Sequence, residues 1–185
     1  MGRTLSRQMT FPAMIPFTNA RLYVYAACFV AADVAIPRFF HWLHPLAGPL
    51  FQPMYFIILL AGLMMGWRGG LLVGIATPLV SFVLSGMPPH AVLPRVFMEC
   101  VCYGFIAGMM RERYRTNTVV SVVTAIIAGR IVTAAFLLLL PGYGIPAVSE
   151  IMWGAVNLGW PGIGLQIILL PLMLHLLEYN ICKES

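Results

Sequence analysis

The chain has 185 residues, of which 61% are hydrophobic and only 9% charged, with a formal net charge of +5. A soluble domain carries about a quarter charged residues, so this composition excludes one and describes a polytopic membrane protein of a single domain, residues 1–185. At roughly 20 residues per crossing there is room for about six spans and none for a soluble catalytic domain, and the positive charge speaks for membrane orientation and not for nucleic acid.

Residues 1–19 read as an uncleaved cytoplasmic or interfacial lead-in, because Arg3 and Arg7 are followed by Pro12 and Pro16 without a small-residue cleavage site. Apolar runs between glycine and proline then predict spans at 20–36, 54–66, 70–85, 95–110, 118–140 and 160–177. The fold expected is all-α, an integral membrane bundle of six transmembrane helices. The second and third spans are short, and Gly66-Trp67-Arg68-Gly69-Gly70 between them reads as a tight turn. With both termini cytoplasmic, eight of the eleven basic residues fall inside, Arg38 and Arg95 sit at outer ends, and Arg130 is intramembrane, as the positive-inside rule favours. The cluster Arg111-Glu112-Arg113-Tyr114-Arg115 is the strongest marker of that direction, as a headgroup anchor or a docking site for a cytoplasmic partner.

That orientation sends the connections 37–53, 86–94 and 141–159 outward. The first carries Phe39, Phe40, His41 and Trp42, the third Trp153 and Asn157. Such rings form interfacial belts in membrane proteins, and here they can also fold back over a site.

Arg130 is a permanent charge in an otherwise nearly uncharged apolar run. At that depth a charge costs roughly 2.5–3.5 kcal/mol, so it faces protein, a partner or a polar ligand. At 1.5 Å per residue, Arg130, Asp33 and Glu99 all fall in the outer half of the bundle. Arg130 therefore either pairs with Glu99 to fix helix packing or meets a ligand carboxylate or phosphate, and a pair that opens on binding does both. Tyr103, four residues after Glu99, shares its helical face, and Asn157 offers both a donor and an acceptor.

Ala27, Ala31 and Ala35 stripe the first span, and Gly62-x-x-x-Gly66, Gly70-x-x-x-Gly74 and Gly104-x-x-x-Gly108 add further small-residue seams. In lipid these let helices approach closely, within the chain or against a partner. Cys28, Cys100, Cys102 and Cys182 include no C-x-x-C pair and read as small apolar residues without metal or disulfide roles. No cofactor is expected. The only lysine, Lys183, lies outside any glycine-rich loop, so the chain lacks a phosphate-binding P-loop and cannot itself hydrolyse ATP to drive transport.

The chain resembles the substrate-binding S components of energy-coupling factor (ECF) transporters, the bacterial vitamin importers. The resemblance runs through the alanine stripe ending at Pro37, Pro53-Met54, the segment from Gly62 to Gly70, Ser85-Gly86-Met87-Pro88-Pro89 with Glu99 and Tyr103-Gly104-x-x-x-Gly108, and Trp160-Pro161-Gly162-Ile163. It implies a non-enzymatic six-helix protein of the bacterial cytoplasmic membrane that captures a vitamin or related small solute at its outer face. It further implies a transmembrane coupling subunit, docked on Ala27, Ala31 and Ala35, and two cytoplasmic ATPase subunits. The three outer connections and the outer ends of the last three helices would cage the ligand. Two other readings compete: a non-transporting scaffold similar to the MreD-type cell-shape factors, and an intramembrane hydrolase. The second requires Ser85 and His90 within hydrogen-bonding distance.

Overall fold

The structure, a computed structural model, describes residues 16–43, 47–142 and 144–184. Among the described residues all regular structure is helical: α1 (Ala20–Leu43), α2 (Ala47–Phe51), α3 (Pro53–Ser85), α4 (Leu93–Glu112), α5 (Thr118–Leu139) and α6 (Ile145–Glu184). An apolar chain that must satisfy every backbone N–H and C=O away from water is driven to this solution. Among the described residues, five helices are long and apolar enough to cross a membrane, α1, α3, α4, α5 and α6. Of the lead-in, residues up to 15 lie outside the described residues.

Where six spans were expected, the second and third are joined in α3. Gly66 alone leaves helical geometry, with φ 75° and ψ −174°, a conformation that glycine adopts without a steric penalty. A straight helix of 33 residues would be about 50 Å long, yet Pro53 and Ser85 line one cavity. A methyl group placed on Gly70 would lie 2.8 Å from Gly62 Cα. The helix therefore doubles back at Gly66 into two arms.

Both arms grip α4 backbone to backbone. A Cβ on Gly62 would meet Gly104 O at 2.5 Å, one on Gly74 would meet Cys100 O at 2.5 Å, and one on Gly108 would meet Gly66 C at 2.5 Å. The three glycine seams are thus one internal interface, and the choice between internal packing and a partner surface is settled for them. Glu112, at the end of α4, pins the bend: Trp67 N–H donates to its Oε2 (3.2 Å) and Arg68 Nη1 to its Oε1 (3.1 Å). Phe17 packs edge-on against Trp67 at 5.7 Å, so α1 starts at this end of the bundle. The core consists of Leu22, Ile58, Leu59, Leu63, Val73, Tyr103, Val122, Leu170 and their neighbours.

The connections hold more helix than their prolines suggested. Pro37 lies within α1, and Pro161 and Pro171 lie within α6, which already begins at Ile145. Pro146 occupies the first turn, where a missing N–H costs nothing, and membrane helices tolerate internal proline because neighbouring groups satisfy the freed carbonyl. Ala27, Ala31 and Ala35 lie on the exposed side of α1.

Candidate binding cavity at one end of the bundle

The end opposite the Gly66 bend holds a cavity of about 830 Å³. All three connections read as outward-facing contribute to its wall: Pro37, Arg38, Gly48 and Gln52 from the first, Met87, Pro88, Pro89 and Val92 from the second, and Glu150, Ile151, Gly154, Ala155 and Leu158 from the third. Its sides are the start of α3 (Pro53, Met54, Tyr55), the end of α3 (Ser81, Ser85) and the first turns of α4 (Arg95, Val96, Glu99). The doubling of α3 is what brings its two ends to one site.

Glu99 is the hub. Its side chain is buried at the cavity wall, its Oε2 accepts a short hydrogen bond from the Tyr55 hydroxyl, and its Oε1 stands 3.7 Å from Arg130 Nη1. That separation makes an ion pair and exceeds hydrogen-bond reach. Nε, Nη1 and Nη2 of Arg130 are buried without a hydrogen-bond partner. Arg130 is not among the residues lining the cavity; it touches the site through Glu99. Tyr103 is also buried, with its ring 5.1 Å edge-on from Tyr55 and against Gly129, where a Cβ would meet it at 2.5 Å. Arg130, Glu99 and Tyr103 are thus brought together as their spacing suggested.

Asp33 is fully buried one residue before the cavity-lining Val34, its carboxylate facing Thr77 without a hydrogen bond of normal geometry. Trp153, 67% exposed, and Asn157, also exposed, lie on α6 and do not line the cavity. With the 141–159 connection mostly helical, α6 turns Glu150, Ile151, Gly154, Ala155 and Leu158 inward, and these two positions fall on its other side. The side chains of Phe40 and His41 lie outside the described residues. Sequence reasoning passed over Arg38, Tyr55, Arg95 and Glu150. Arg95 carried a signal, since Arg95, Glu99 and Tyr103 recur every four residues along one face of α4.

Ser85 Oγ donates to Ser81 O at 2.5 Å, while the His90 ring packs edge-on against Phe82 at 4.5 Å. No hydrogen bond joins the pair that a hydrolase would need as nucleophile and base.

The model of the family described as ECF transporter, substrate-specific component, matches residues 13–174. The chain belongs to that family. No curated protein and no solved structure matches it. As an S component, it is a membrane substrate-binding subunit of a transporter, a class of non-enzymatic subunits that work with a transmembrane coupling component and ATPases. In this S component the three connections meet over one cavity.

Proposed function

We propose that this S component captures a vitamin or related small organic solute in the cavity beneath its three connections, for ATP-driven import by partner subunits. The observation that carries the reading is the convergence of those connections on a single half-open, largely apolar chamber with a few polar groups, the usual form of a small-molecule site. Arg21, Arg68, Arg111, Arg113 and Arg115 belong to the Gly66 end of the bundle, so the positive-inside rule makes that end cytoplasmic and the cavity end external. In this orientation each arm of α3 counts as a crossing, giving six passes with both termini inside, in a bacterial cytoplasmic membrane.

Glu99 and Tyr55 are the polar floor of the site, Arg130 is the counter-ion that orients Glu99, and Tyr103 and Asp33 support it from behind. The exposed alanine stripe docks the coupling subunit, with no side chain beyond a methyl to hold it away. Mass spectrometry of small molecules released from the purified, denatured protein tests the reading. One compound near equimolar with the chain is expected, and a preparation that releases none and binds none would refute it.

A further inference from the structure

Two arginines and two carboxylates line the cavity, Arg38, Arg95, Glu99 and Glu150, and Arg95 is the one set in its wall without a partner. Glu99 is taken by Arg130 at 3.7 Å and by the Tyr55 hydroxyl. Glu150 and Arg38 are both exposed at the rim, where Arg38 Nη2 donates to Leu84 O at 2.9 Å. Arg95 has no hydrogen bond and no ion pair to any described residue, and its Nε is buried without an acceptor. A guanidinium at a largely apolar wall is costly in that state and is relieved by an incoming anion.

Two further features favour an anion at this place. Arg95 stands in the first turn of α4, where Leu93 N–H is taken by Pro89 O and Pro94 has no N–H, so the Arg95 amide is the one left there to meet an anion. The buried acid that would otherwise attract a cation, Glu99, is already neutralised. The remaining wall, including Val34, Met54, Val96, Ile151 and Leu158, is apolar and suits a hydrocarbon or ring body.

We propose, resting on the solute-capture reading, that the solute is an amphiphilic monocarboxylate, its single carboxylate held by Arg95 and its apolar body lying along α4 and α6. A carboxylate answers the guanidinium of Arg95, whereas an ammonium group would stand unmatched against it. The same chemistry reaches the protein either as a water-soluble acid or as a fatty acid from the bilayer.

The test is equilibrium binding to the full chain in phosphatidylcholine nanodiscs, against empty nanodiscs, with octanoate, octanamide and octylamine as probes. Saturable octanoate binding at least tenfold tighter than octanamide, with no octylamine binding, is expected. R95Q should bring octanoate down to the octanamide level, and R95K should retain most of the preference. Both variants should fold, since Arg95 holds no structural partner. Palmitate supplied in the bilayer either displaces octanoate, which supports the membrane source, or does not, which supports the soluble one. Saturable binding in which octanamide or octylamine equals octanoate, or in which R95Q binds octanoate like the parent, overturns the monocarboxylate class and leaves solute capture standing. Binding of none of the three overturns the class, and solute capture with it when the purified chain also releases no compound.

Discussion

Arg130 and Glu99 face each other across α5 and α4 with 3.7 Å between Nη1 and Oε1, a buried ion pair in which the carboxylate, and not the guanidinium, reaches the cavity. Removing one partner strands the other charge away from water. E99Q is therefore expected to lower stability by about 3–5 kcal/mol, seen as a fall in the unfolding midpoint in detergent. The double variant E99Q/R130M should recover most of that loss; a double variant as unstable as the single one would mean that the pair is not what the charge answers to.

Tyr55 donates to the other oxygen of the same carboxylate. Y55F leaves a buried charged acceptor short of a donor, which costs about 1–3 kcal/mol. The same thermal measurement should register it, together with weaker solute binding, because Glu99 is then free to turn.

The α3 bend depends on a backbone conformation unavailable without strain to other residues. G66A is expected to cost about 1–3 kcal/mol from the dihedral angles alone, and more from the methyl group, which would press on the Glu112 carboxylate. A loss of monodisperse protein on size-exclusion chromatography, worse than for E112Q, would register the distinction between the strained backbone and the Glu112 latch.

Ala31 sits on the exposed side of α1, away from the cavity. A31W should leave the isolated chain folded and able to bind its solute, and should reduce recovery of the coupling subunit and ATPases in co-purification several-fold. Undiminished recovery would place the docking face elsewhere.

Much of this architecture was legible because membrane helices announce themselves by length and apolarity, and because close helix contact needs glycine at fixed spacing. Gly62, Gly70, Gly104 and Gly108 were visible as seams, but not that they close on one another, since that depends on α3 doubling back. The ion pair of Arg130 was readable from depth, yet which partner faces the cavity was not, because depth says nothing about rotation around the helix axis. Proline misled at the connections. The stretch 141–159, with Pro141 and Pro146, reads as a connection, whereas Pro146 stands in the first turn of α6, so Trp153 and Asn157 lie on a helix and not on a loop able to fold inward. Arg95 was counted only as an orientation charge, although its four-residue step to Glu99 and Tyr103 put it on the face of the site.

The central claim is that a solute occupies this particular cavity, and Gly154 offers the most direct test of it. Gly154 lines the cavity, and a Cβ there meets nothing within 4 Å, so G154W can fill the chamber without disturbing the backbone. The measurement is the amount of small molecule released per mole of purified protein, compared between the parent and G154W at equal monodispersity. The account predicts about one per chain in the parent and little in the variant; equal amounts from both would contradict it.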